Sequence, residues 1–150
     1  MRISAPATFI SVAAGCLMAA PAVIQSAWAV QDQPVTINGV ESVCTGVGSA
    51  KDNPDWDGYP VKLTFSNLAG ENEAAEHISI TEGGHPVMDT DCDAPWLLIK
   101  GPAGRYEVQA SLPGTGRTAH AAFTLGGGAR QTVNLAFSGA KQAENSLPAQ

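Results

Sequence analysis

Helical periodicity, positive charge and cysteine are all scarce in this chain. Apolar residues almost never recur at three- and four-residue spacing, which argues against an α-helical fold. The one helical candidate is E-N-E-A-A-E at residues 71–76, about a turn and a half. Lys and Arg number 8 against 14 Asp and Glu. Such a surface cannot displace the counterions of nucleic acid, and an anionic membrane surface repels it. Past residue 29 no apolar run approaches the ~18 residues that cross a bilayer. The chain also has no G-x-S-x-G, no G-x-x-x-x-G-K, no dinucleotide fingerprint and no C-x-x-C. Nucleophilic, phosphate-cradling and dithiol chemistry therefore have no sequence support.

Charge is missing altogether from residues 3–28. Met1-Arg2 supplies one positive charge before this stretch, and Ala27 and Ala29 flank Trp28 at its end. A positive start, an apolar middle and an A-x-A end make a secretory signal peptide over residues 1–29, cleaved after Ala29. Two alternatives stand beside it. The leader could stay uncut as an anchor, although Pro6, Gly15 and Pro21 interrupt it. Ala13-Ala14-Gly15-Cys16 also resembles a lipoprotein box, with Cys16 the lipidated residue. That box has Ala13 where Leu is usual and is followed by apolar rather than polar residues.

Cleavage leaves 121 of the 150 residues, the size of one domain with a real core. The mature chain holds seven basic and fourteen acidic residues, a formal charge of −7. Its two cysteines, Cys44 and Cys92, form one bridge in an oxidising compartment or remain as unlinked buried thiols. A bridge would close a loop of about 48 residues, for roughly 4 kcal/mol of loop-closure stabilisation.

Period-two alternation is abundant. Val61, Leu63 and Phe65 alternate with polar residues, as do Ile78 and Ile80, then Tyr106, Val108, Ala110 and Leu112. Ala119 to Leu125 and Val133 to Phe137 repeat the pattern. Trp96-Leu97-Leu98-Ile99 reads as a strand buried on both sides, and weak strands lie near residues 41–47 and 86–88. Gly- and Pro-rich turns separate these runs. About seven strands with one wet face each predict an all-β antiparallel sandwich over residues 41–138. Residues 30–40 read as a polar N-terminal lead-in, and residues 139–150 as a disordered tail.

The segment I-K-G-P-A-G-R-Y-E-V at residues 99–108 resembles the Pro-Gly-Tyr hairpin of carboxypeptidase regulatory-like, or transthyretin-like (prealbumin-like), β-sandwiches. Asp93-Ala94-Pro95-Trp96 and Gly46-Val47-Gly48 are similar to segments of a family of small exported bacterial proteins. The usual turn there has Gly where this chain has Ala94. The resemblance implies a β-sandwich fold, export, and a staple between Cys44 and Cys92. It does not imply peptidase activity, and the zinc-binding H-x-x-E is missing.

Candidate ligand groups fall in two acidic segments. Asn53, Asp55 and Asp57, with Gly58 following, match the first half of a calcium loop, but position twelve is Thr64 rather than Glu. Asp89, Asp91 and Asp93 alternate along an extended segment, either receiving a cation or standing as a solvated sheet edge. His77, His85 and His120 lack the i, i+2 or i, i+4 spacing of zinc ligands, and a histidine could join Asp89 and Asp91 only through tertiary proximity. Trp56 and Tyr59 are candidate aromatic contacts for a sugar or peptide.

The combined expectation is an exported, non-enzymatic β-sandwich with a structural or partner-binding role in the periplasm or cell envelope. It has no cofactor, and its partner is an envelope protein or glycan. The alternatives are a module binding calcium or another divalent cation, or a glycan, and a hydrolase. Expression with the native leader should yield an exported form beginning at Val30. Intact mass and N-terminal sequencing check this, and a diacylglyceryl mass increment on Cys16 would replace it with the lipoprotein route.

Overall fold

The computed structural model describes residues 27–28, 31–74 and 76–138. Cleavage after Ala29, lipidation at Cys16 and the tail from residue 139 lie outside the described residues. In chain order the strands are β1 (Ala27–Trp28), β2 (Pro34–Ile37), β3 (Val40–Thr45), β4 (Val61–Asn67), β5 (Glu76–Glu82), β6 (His85–Cys92), β7 (Trp96–Lys100), β8 (Gly104–Leu112), β9 (Arg117–Leu125) and β10 (Gln131–Phe137). Two single-turn 3-10 helices, Gly48–Asp52 and Pro54–Gly58, lie between β3 and β4. One sheet is ordered β1-β6-β5-β8-β9 and the other β10-β4-β7-β3-β2. They pack face to face as the all-β sandwich that the alternation predicts.

Three expectations need correction. The strands number ten among the described residues rather than about seven, partly because residues 34–37 of the presumed lead-in pair with β3. Asn38-Gly39 turns this hairpin with φ of 48° and 80°, the two positive values that a type I′ turn requires. The sheets are not wholly antiparallel, because β10 runs parallel to β4 from Gln131↔Val61 to Phe137↔Asn67. It must, since the chain leaves β9 at one end of the sandwich and enters the opposite sheet there. The described residues of 71–76 make no helix: Asn72 bridges Ser66, and Glu76 opens β5.

The core lies between the sheets. Val61, Leu63 and Phe65 face Ile78, Ile80, Tyr106, Val108 and Phe123, all buried. Tyr106 stacks on Phe123 at 5.4 Å, and its hydroxyl donates to the Pro102 carbonyl at 2.8 Å, so the polar end of a buried ring is satisfied. The turn before β8 is thereby locked to the strand it starts. β7 is buried on both faces. Leu97 and Ile99 enter the main core, while Leu98 joins Val43, Trp56 and Tyr59 in a second cluster on the outer side of its sheet.

Cys44 and Cys92 join the two sheets, with their sulfurs at bonding distance, 2.10 Å, and their Cα atoms 5.5 Å apart. Thr45 pairs with Trp96 in the β3–β7 ladder, which brings the G-V-G segment against the A-P-W turn. At Gly46, φ is 107°, and an added Cβ would sit 2.7 Å from the Trp96 ring, so glycine is required there twice over. Ala94 is fully buried without a positive φ, so Ala in place of Gly causes no backbone strain.

Replacing both cysteines (C44A/C92A) should lower unfolding free energy by roughly 2–5 kcal/mol, read from urea denaturation. A loss below about 1 kcal/mol would show that the bridge constrains little.

Candidate functional site

Four constellations concentrate the polar chemistry. The first is the excursion at residues 47–58. Its two 3-10 turns are pinned from within. The Trp56 indole N–H donates to the Ala50 carbonyl at 2.8 Å, and the Asn53 side-chain oxygen accepts from the Asp55 amide at 3.0 Å. Pro54 follows the capping Asn53, as suits a helical first turn. Arg130, just before β10, donates to the Trp56 carbonyl and to Asp57 Oδ1, both at 3.2 Å. Of the three oxygens proposed for calcium, those of Asn53 and Asp57 thus serve the protein itself, while Asp55 is exposed. Trp56 and Tyr59 are the candidate aromatic contacts for a sugar or peptide. They are only 6% and 3% exposed, because they cover Leu98 and Val43. They offer no open ring face to a ligand.

Glu41 accepts hydrogen bonds from the Tyr59 hydroxyl and from Lys100, the latter at 2.9 Å. These donors hold its carboxyl below the usual value, while burial and the facing carboxylate push the Tyr59 hydroxyl well up.

The second constellation is the acidic strand β6. Asp89 and Asp91 share its outer face, and Asp93 lies exposed beyond the strand end. The antiparallel register sets His77 of β5 opposite Asp91 and Ser79 opposite Asp89. His77 Nδ1 lies 2.7 Å from Asp91 and Nε2 lies 3.3 Å from Asp89. The proximity that sequence spacing could not reveal is therefore present, whereas His85 and His120 lie elsewhere. The hydrogen bond that His77 donates to Asp91 raises its pKa, partly offset by burial and reinforced by Asp89. Both ring nitrogens face carboxylates, an arrangement suited to an imidazolium rather than a neutral metal ligand. Among the described residues, no group of three or more His, Cys, Asp or Glu is placed to hold a metal ion.

The third is Glu76, which sequence reading missed. It is fully buried opposite Cys92, and neither carboxyl oxygen has a hydrogen-bond partner. Burial pushes its pKa up to about 8. Its own backbone amide opposes this, while the charges of Glu73 and Asp93 add to it. Alternation on β5 could have found it, since Glu76 shares the parity of Ile78 and Ile80.

The fourth is a cavity of about 310 Å³ on the outer face of the β10-β4-β7-β3-β2 sheet. Lys51, Lys62, Asp57, Trp96 and Arg130 line it. A hollow of about 340 Å³ on the other sheet is lined by Ser79, Glu107, Gln109 and His120. No protein-family model, curated protein or solved structure matches this chain.

Glu76 and His77 make stability fall with pH. In the unfolded chain the Glu76 carboxyl ionises near 4.5, but in the folded protein it keeps its proton to about 8. Folding therefore takes up a proton between those values, and stability should drop by on the order of 1 kcal/mol per pH unit across the window, levelling above it. His77 has the same sign: its raised pKa stabilises below about 6.5, and that contribution is lost as pH climbs through the raised value. Chemical denaturation from pH 5 to 9 should show the slope in wild type and most of it gone in Glu76→Gln. An unchanged slope would place the proton uptake elsewhere.

Proposed function

We propose that this chain is an exported, non-enzymatic β-sandwich that binds a partner in the periplasm or cell envelope. The observation that carries the reading is the ordered excursion at residues 47–58. It contributes little to the core between the sheets. Yet it is fixed by an indole hydrogen bond, an Asn cap and a bidentate arginine, and it walls a concave polar surface. A segment ordered this way is preorganised, so a partner meets it without a further entropic cost. The apolar leader ending in Ala27 and Ala29, and a cysteine pair at bonding distance, support the compartment. No helix among the described residues is long and apolar enough to cross a membrane. The resemblance of residues 99–108 to the carboxypeptidase regulatory-like hairpin supports the same reading.

A divalent-cation role competes for Asp55, Asp57, Asp89, Asp91 and Asp93. On the binding reading the melting midpoint should be the same with and without millimolar calcium, and a calcium-dependent rise would favour the cation module. Affinity capture from the envelope fraction should recover a partner with the intact protein and lose it when residues 47–58 are replaced by a short Gly-Ser link. Equal recovery by both forms would move the binding surface away from the excursion.

A further inference from the structure

The cavity beside Trp96 gathers positive charge. Lys51, Lys62 and Arg130 are three of the six Lys and Arg among the described residues, and all three line it. Elsewhere Lys100 meets Glu41 and Arg117 meets Glu73, each at 2.9 Å, while Arg105 stands exposed on β8. Here the one lining carboxylate, Asp57, is engaged by Arg130. The Lys62 and Lys51 ammonium groups lie 4.2 and 5.9 Å from the Trp96 ring centre, and neither has a carboxylate within ion-pair distance among the described residues. Both ammonium groups lie near one indole without a neutralising partner, and an anion within reach of both would be attracted by each. In a chain with 14 acidic residues against 8 basic ones, this local excess of two positive charges runs against the global sign.

The remaining lining groups narrow the ligand. Asn53 keeps its amide donors, since only its oxygen is used by Asp55, and Thr132 adds a hydroxyl. Asp57 has a second carboxylate oxygen beyond the one that meets Arg130. Donors and acceptors side by side suit sugar hydroxyls, whereas a bare phosphate would want donors alone. The half-buried Trp96 ring, backed by Gly46, is a flat apolar surface for a sugar's C–H face. The volume lies at the small end of ligand sites and admits one ring.

We propose that this cavity binds an acidic sugar, a uronic acid unit of an envelope or extracellular polysaccharide. Lys51 and Lys62 take its carboxylate, and Asn53, Asp57 and Thr132 take its hydroxyls. Lys62 moves off the indole face as it turns to the carboxylate, and the ring settles on Trp96. The proposal rests on the reading of the domain as an exported binding module and supplies its ligand class.

The test is calorimetric and NMR titration of the exported protein with D-glucuronate and D-galacturonate. The methyl ester of glucuronate and inorganic phosphate serve as comparisons. The acids should bind saturably, shifting the Lys62, Trp96 and Thr132 signals, with the ester and phosphate at least roughly tenfold weaker, as expected when a charge-assisted contact is lost. The double variant K51Q/K62Q should weaken the acids by a similar factor and leave the melting midpoint unchanged. Equal binding of the ester, tighter binding of phosphate, or an unaffected double variant overturns the assignment. A protein that captures an envelope partner through residues 47–58 but ignores both uronates loses this proposal and keeps the binding reading. One that binds the uronates yet is never exported keeps the pocket and loses the compartment.

Discussion

The structure turns on a strand that has no wet side. β7 carries Leu97 and Ile99 into the space between the sheets and Leu98 out of the back. Leaving Leu98 and its neighbour Val43 in water would cost about 1.5–3 kcal/mol for each side chain, so something must cover them. The cover is the excursion between β3 and β4, through Trp56 and Tyr59. Covering them fixes where the chain can run next. Trp56 draws in Ala50 and Arg130, Tyr59 draws in Glu41 and Lys100, and the cavity over Trp96 is the gap left at the edge of that cover. The polar surface most suited to recognition is thus a by-product of burying one leucine on the outer side of a sheet.

Charge follows a second logic. On the outer face of β6, like charges are held together by an imidazole that contacts both carboxylates, so the strand's acidity costs little. Inside, Glu76 has no such partner and stays neutral instead. The two groups are adjacent in sequence and point to opposite sides of one strand. Each is driven toward its protonated form, one by hydrogen-bonded carboxylates and the other by lack of water.

Much of the sandwich was legible because alternation is a local signal. The faces of β4, β5, β8, β9 and β10 fall where period two puts them, and the doubly buried β7 was marked by four apolar residues in a row. The missed hairpin of β2 and β3 carried a signal in Asn38-Gly39, masked by a polar composition that read as a lead-in. The site was far less legible. Lys62 and Trp96 meet through cross-strand register, and Lys51 and Arg130 join them only once loops close over the sheet. Trp56 was visible as an aromatic beside acids. Its burial depended on Leu98 facing outward, which is known only when both faces of β7 are assigned. His77 met Asp91 across a hairpin whose pairing, bulge included, sequence spacing could not fix.

The parallel pairing of β10 with β4 has a bearing on how the molecule is made. A chain emerging from its N-terminal end presents Val61 long before Gln131, yet the two occupy neighbouring positions in one ladder. Until the last strand arrives, β4 has an open edge and Phe65 lacks Phe137 beside it, a ring 6.4 Å away in the finished core. The β10–β4 ladder can therefore close only after the last strand has been made, and contacts this distant in sequence close slowly.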